Sequence, residues 1–230
     1  MRPSKRGLDQ IREISIQTNV NAYAEGSCLI KFGNTHVLCT ASIEEKVPPF
    51  LKGKNQGWIT AEYNMLARST HTRNSRDPAK PNGRNIEIQR LIGRSLRSCI
   101  DTKKLGERQI IIDCDVLQAD GGTRCAAITG GYVALALAIK NLALSPLKGM
   151  VCAVSCGIFN GKIIADLDYD EDSKCGVDCN FVLNQSFDLI EIQGTAESGQ
   201  MSFEQISEMY KLAKESAKEI FLIQKQAISG

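Results

Sequence analysis

Asp113-Cys-Asp-Val-Leu-Gln-Ala-Asp-Gly-Gly-Thr-Arg124 joins two unlike neighbours. On its N-terminal side, residues 109–113 are a short apolar, β-branched run bounded by charge, which predicts a buried strand. On its C-terminal side, residues 123–144 are rich in Ala and Leu, which predicts a helix buried on most of its surface. The junction is Asp120-Gly121-Gly122-Thr123-Arg124. Two glycines let the backbone turn sharply and leave its N–H groups uncovered where a helix begins. A helix start carries unpaired N–H donors and about half a positive charge, so it suits a phosphate or carboxylate. Thr123 adds a hydroxyl, and Arg124 a guanidinium fork that grips phosphate through two hydrogen bonds. The same five residues also suit a plain capped turn. The chain has neither a Walker A ending here nor a Gly-x-Gly-x-x-Gly fingerprint, so the pattern alone leaves both readings open.

Composition narrows the classes. With 43% hydrophobic and 23% charged residues, the 230-residue chain has the balance of a soluble globular protein, one large domain or two halves sharing a core. A net charge of +2 is too small to imply a nucleic-acid partner by itself, so any basic footprint must be local. No apolar run approaches the ~18 residues of a membrane span, and Met1-Arg-Pro-Ser-Lys-Arg6 lacks the apolar stretch of a signal peptide. The expectation is a cytoplasmic protein. Nine cysteines are scattered through apolar runs with no Cys-x-x-Cys pair, which favours reduced, buried thiols over a zinc site at Cys175 and Cys179.

In chain order, residues 12–20, 27–32 and 35–43 read as a strand meander with a two-residue turn at Gly33-Asn34. Residues 44–56 form a loop, and residues 58–66 resume as a strand. Residues 68–84 form a long basic loop carrying Arg68, Arg73, Arg76, Lys80 and Arg84, either merely solvated or a grip on an RNA backbone. Residues 85–100 make an amphipathic helix whose apolar face is Ile88, Leu91, Ile92, Leu96, Cys99 and Ile100. Arg90, Arg94 and Arg97 repeat on it as a solvated face, a subunit contact or a phosphate track. A hairpin follows around Asn160-Gly161, then the acids Asp166, Asp168, Asp170, Glu171, Asp172 and Asp178, which by composition alone read as a solvated turn. Strands at 181–183 and 189–194 precede a terminal helix opened by the capping box Ser202-Phe-Glu-Gln205, with Phe203, Ile206, Met209, Ala213, Ala217 and Ile220 on one face. The layout is α/β, mixed rather than strictly alternating.

Several stretches in this order resemble the ribonuclease PH family. They are Phe32-Gly-Asn-Thr-His-Val-Leu-Cys-Thr-Ala-Ser42, Gly57-Trp-Ile-Thr-Ala-Glu-Tyr63, Glu87-Ile-Gln-Arg-Leu-Ile92, the 113–124 stretch, Glu171-Asp-Ser173, Val177-Asp178 and Gln193-Gly-Thr-Ala-Glu197. The members are phosphate-dependent 3′-to-5′ exonucleases, transfer-RNA nucleotidyltransferases that trim transfer-RNA 3′ ends. The similarity runs from Arg2 nearly to the C-terminus. It implies an α/β (α+β mixed) fold in which a βαβα unit is duplicated, with mixed sheets and packed helices. It also implies one domain over residues 1–230. Its halves are a phosphate- and RNA-binding one at about 10–143 and an acidic one at about 150–226. The implied assembly is a homohexameric ring built from dimers. The resemblance puts the inorganic phosphate co-substrate at Arg84, Gly122, Thr123 and Arg124. It puts catalysis and a divalent cation, Mg2+ first, at Asp172 and Asp178, which have the family's six-residue spacing. It gives RNA binding, to transfer-RNA 3′ ends and ribosomal RNA, to Arg68, Arg73 and Arg76. Ala67 departs from the family's usual Pro before that loop, which implies a less rigid loop here, and the linker around Ser145-Pro146 is short.

Phosphorolysis suits these residues chemically. An anionic phosphate must approach an anionic phosphodiester, and cations and helix N–H groups offset a repulsion of about several kcal/mol. Asp178 also suits a general acid, for which its pKa must be raised. A catalytically silent RNA-binding ring subunit would have lost some of Arg84, Arg124, Asp172 or Asp178, and all four are present. A hydrolytic phosphodiesterase would need an activated water in place of bound phosphate.

Overall fold

In the computed structural model, which describes residues 2–75, 83–140, 142, 144–197 and 199–230, the apolar alternation becomes two sheets. The first holds β1 (Ile14–Thr18), β2 (Gly26–Phe32), β3 (Thr35–Glu44), β4 (Trp58–Met65) and β5 (Gln109–Gln118), in the order β1-β2-β3-β5-β4. β4 runs parallel to β5, and the other pairs are antiparallel. A parallel pair needs a crossover, supplied here by α1 (Gly83–Ser98) and the single turn α2 (Thr102–Leu105). After β5 comes α3 (Thr123–Lys140).

The second sheet comprises β6 (Val151–Phe159), β7 (Lys162–Ala165), β8 (Val177–Asn184) and β9 (Leu189–Ala196), ordered β7-β6-β8-β9. Between its hairpins sits α4 (Tyr169–Asp172), and α5 (Phe203–Ser229) closes the chain. Strands, helix, strand, helix therefore recur in both halves. Only the first sheet is mixed, however; the second is wholly antiparallel because short turns join β6 to β7 and β8 to β9.

α3 packs on β2, β3 and β5 on one side and on β6 on the other, so it is the middle layer. That position explains its sequence. A helix facing a sheet on each side needs apolar residues all round, and every residue from Cys125 to Ala136 is buried. α1 covers β4 with Ile88, Leu91, Ile92 and Leu96, each worth about 1.5–3 kcal/mol of transfer free energy. α5 lies on β6, β7 and β8 with Met209, Ala213, Ala217 and Ile220 inward. Phe203, expected on that face, is instead exposed beside the cap.

Other expectations also shift. β5 runs five residues beyond Asp113, because Ile110, Ile112, Cys114 and Val116 face the core while Asp113 and Asp115 alternate with them. α3 ends at Lys140, short of residue 144. The arginine stripe of α1 is partly paired within the chain: at the surface Arg94 pairs with Glu191 at 2.6 Å, and the half-buried Arg97 stacks over Trp58 and donates to the Ile59 carbonyl at 2.7 Å. All nine cysteines are buried free thiols, with Cys28, Cys39 and Cys114 opposite one another across β2, β3 and β5. Burial pushes the Cys99 and Cys125 thiols up to about 12, so they stay protonated.

Candidate active site

The glycine turn between β5 and α3 is held from three directions. Gly121 and Gly122 adopt φ of +70° and +64°, a left-handed pair that favours glycine. From β3, the Thr35 hydroxyl donates to the Gly121 carbonyl at 2.6 Å and accepts from the Asp120 N–H at 2.9 Å. From the N-terminal segment, Arg12 donates to the Asp120 carbonyl. From α4, the Tyr169 N–H donates to the Asp120 carboxylate at 3.2 Å. The backbone that opens α3 is thereby fixed before any ligand arrives.

Arg12 is itself clamped. Its Nε and Nη2 donate to the two Asp166 oxygens at 2.8 and 2.7 Å, and its backbone N–H donates to Asp166 Oδ2 at 2.7 Å. Glu171, fully buried, takes Arg2 Nε and Nη2 at 2.7 and 2.8 Å. Arg6 bridges Asp166, Asp168 and Glu171 at 3.1–3.2 Å. Burial alone would raise the Asp166 and Glu171 carboxyls, but their arginine bonds outweigh it and bring both below the usual carboxylate range. Within the acidic run Asp166, Asp168 and Glu171 are therefore not a solvated turn, whereas Asp170 and Asp172 are exposed. Asp166, Asp168 and Glu171 anchor the residue 2–12 segment against the second half.

Asp172 and Asp178 differ from those acids. Asp172 ends α4, on the exposed rim, and Asp178 lies on β8. Desolvation by the surrounding walls raises the Asp172 carboxyl, the Asp178 charge raises it further, and Arg84, Arg124 and Arg12 pull it back. Desolvation also raises Asp178, with Arg124 and Arg84 opposing and Glu197 adding to the rise. Two cations and two carboxylates thus share one field. Arg84 stands exposed on the first turn of α1, and Arg124 on the first turn of α3, where it donates to Gln193 Oε1 at 2.9 Å and lies 3.7 Å from Glu87. Thr123, at the start of α3, accepts a hydrogen bond from the buried Tyr63 hydroxyl at 2.8 Å.

The structure accordingly brings Arg84, Gly122, Thr123, Arg124, Asp172 and Asp178 into one neighbourhood. Arg68 and Arg73 are exposed in the segment after β4, and Arg76 lies outside the described residues. Arg68 lines a separate cavity of about 730 Å³ with His71, Asp120, Tyr169 and Asp170 among its walls. Sequence reasoning missed the supports: Arg2, Arg6 and Arg12 meet partners more than 150 residues away, and no local pattern announces that. Tyr63 and Gln193 stood in the quoted motifs without a role.

Among the described residues no group of three or more His, Cys, Asp or Glu side chains is arranged to hold a metal. The Asp172–Asp178 pair still fits a hard cation. Its oxygens are the donors Mg2+ prefers, Mg2+ binds through one or two carboxylates plus water and substrate phosphate, and the two carboxylates are close enough for the Asp178 charge to raise Asp172. No helix among the described residues is long and apolar enough to cross a membrane.

Residues 10–140 match the model of the 3′ exoribonuclease family, domain 1, and residues 149–216 match domain 2 of the same family. The chain is 54% identical to Ribonuclease PH of Caulobacter vibrioides over the whole of both chains, and 54% identical to Ribonuclease PH of Roseobacter denitrificans over 99% of each. Its fold is similar to that of rice (Oryza sativa) Rrp46, with a TM-score of 0.83 at 19% identity, covering 99% of this chain and 100% of that one. A chain of the Archaeoglobus fulgidus exosome with RNA bound to the active site gives 0.80 at 21% identity, covering 95% and 91%. With both domain models matched in order and more than half its residues shared with entire ribonuclease PH chains, the protein belongs to the 3′ exoribonuclease family, in its ribonuclease PH group.

Proposed function

We propose that the α3 start is the phosphate site of a phosphate-dependent 3′-to-5′ exoribonuclease acting on transfer-RNA 3′ ends, with ribosomal RNA as a further substrate. The observation that carries this reading is the shared field of Arg84 and Arg124 against Asp172 and Asp178 beside the fixed glycine turn. Inorganic phosphate, already anionic, binds Arg84, Arg124, the Thr123 hydroxyl and the Gly122 N–H. One of its oxygens attacks the terminal phosphodiester in line, the bond to the 3′ oxygen breaks, and the nucleotide leaves as a diphosphate. The departing 3′ oxygen takes a proton; Asp178, its carboxyl raised chiefly by burial, is either the donor or, ionised, a ligand of the cation. Positioning and charge compensation do most of this work, since little covalent chemistry falls to the protein. Asp172 and Asp178 would hold a divalent cation, which would supply charge neutralisation at the scissile phosphate.

In this reading the half at about 10–143 binds phosphate and RNA, and the half at about 150–226 carries the carboxylates. Arg68, Arg73 and Arg76 grip the RNA backbone, the protein works in the cytoplasm, and six copies form a ring built from dimers. One preparation tests these points together. RNA with a free 3′ end is incubated with and without phosphate, with and without Mg2+, and the mass in solution is measured by light scattering. Diphosphates released only when phosphate and Mg2+ are both present, from particles near six times 25.2 kDa, are expected. Monophosphates would replace the reading with hydrolysis, and no release would leave an RNA-binding scaffold.

A further inference from the structure

Tyr63 lies on β4 with 1% of its surface exposed, opposite Cys114 of the parallel strand β5. A buried phenol must spend its hydroxyl on a partner or carry a desolvation cost. Among the described residues that partner is Thr123 Oγ1, at 2.8 Å. Nothing in packing requires a hydroxyl here, since phenylalanine fills the same volume. The bond ends on the first residue of α3, within the field of Arg84 and Arg124, both of which act on the Tyr63 hydroxyl.

A threonine hydroxyl has one proton to give and two lone pairs to receive with. Thr123 is 8% exposed, and its oxygen already receives the Tyr63 proton. Its own proton must then point elsewhere, and among the described residues no hydrogen bond takes it. Without Tyr63 the hydroxyl is free to rotate and to meet an incoming anion with a lone pair. With Tyr63 the lone pair on the inner side is occupied and the donor faces the turn. Resting on the phosphate-site reading above, we infer that Tyr63 is a positioning residue that fixes Thr123 as a hydrogen-bond donor to inorganic phosphate. Tyr63 does not touch phosphate itself. It removes the rotational freedom that Thr123 would otherwise lose on binding, which is preorganisation of one donor.

The test compares Tyr63→Phe, Thr123→Val and the double variant by initial rate against phosphate concentration on one RNA. Removing one neutral donor's alignment corresponds to about a three- to tenfold change. Tyr63→Phe is therefore expected to raise half-saturating phosphate about three- to tenfold, leaving the rate at saturating phosphate within about twofold and half-saturating RNA unchanged. In the double variant, Tyr63→Phe should add nothing to Thr123→Val, because the hydroxyl it aims is gone. Phosphate-dependent thermal stabilisation gives the same ordering without turnover, so a poorly active variant still reports. If Tyr63→Phe lowers the thermal midpoint but leaves phosphate dependence at the wild-type value while Thr123→Val shifts it, Tyr63 is only a core residue and the inference fails. If Thr123→Val itself leaves phosphate dependence untouched, the phosphate-site reading fails first, and the inference with it.

Discussion

Arg124 and Asp178 influence one another, yet the chemistry asks opposite things of them. On the proposed phosphate site Arg124 binds an anion in the ground state, so Arg84→Ala or Arg124→Ala is expected to raise half-saturating phosphate about ten- to a hundredfold, the effect of one charge-assisted contact. Asp172→Asn and Asp178→Asn should instead lower the maximal rate with phosphate binding retained, and lower it equally in the synthetic direction. Initial rates in both directions separate the two classes; a normal maximal rate in Asp178→Asn would remove that carboxylate from the mechanism. Changing Arg68, Arg73 and Arg76 together to Ala should weaken transfer-RNA binding and flatten its salt dependence, with less effect on a short single strand. Arg84, Arg124, Asp172 and Asp178 were legible as one group through the family resemblance, and the structure sets them in one field. Arg12 was not, because its meaning lies in Asp166, 154 positions away.

At the scale of the element, the turn between β5 and α3 makes a sharper claim than its two glycines suggest. Both adopt a left-handed φ, which costs a side chain about 1–2 kcal/mol. Their surroundings differ. A Cβ on Gly121 would meet the Leu167 carbonyl at 2.6 Å and Asp168 backbone at 2.7 Å, whereas one on Gly122 would meet only the end of the Arg12 side chain that closely, at 2.9 Å. Backbone cannot yield without moving the approach to α4, and α4 carries Asp172. Gly121→Ala should therefore lower stability well beyond Gly122→Ala and weaken phosphate binding and turnover together. Urea denaturation of both variants, followed by phosphate titration, checks the order; equal losses would mean that the turn and α4 are not coupled. The strand–turn–helix was readable from residues 109–144, since periodicity and glycine placement are local. The four-residue α4 was not, because so short a helix has no period and is set by the Asp168 cap and the buried Arg2–Glu171 pair.

Across the whole molecule, residues 2–12 lead into the first half in sequence but bind the second in space. The Ala165 N–H donates to the Leu8 carbonyl at 2.8 Å, and Arg2, Arg6 and Arg12 grip Asp166, Asp168 and Glu171. The segment is thus a strap, and its strength depends on pH. Asp166 and Glu171 titrate below their ordinary values of 3.8 and 4.5. A carboxyl depressed in the fold keeps its charge to lower pH than in the unfolded chain, so its stabilisation is fully present above the unfolded pKa. It is lost as pH falls through the depressed folded value. The strap should hold at pH 5 and above and weaken progressively below about 4.5, releasing Arg12 from Asp120 and loosening the phosphate turn. Asp172 and Asp178 shift the other way, so wild-type acid sensitivity alone mixes opposite contributions. Glu171→Gln separates them. It should cost about 3–5 kcal/mol at pH 7, since Arg2 is left buried without its counter-charge, and the difference from wild type should shrink as pH drops below about 4.5. Denaturation curves at half-unit pH steps measure that difference directly. A gap between wild type and Glu171→Gln that stays constant from pH 7 to 3 would mean that the Arg2–Glu171 charge pair contributes nothing to holding the halves together.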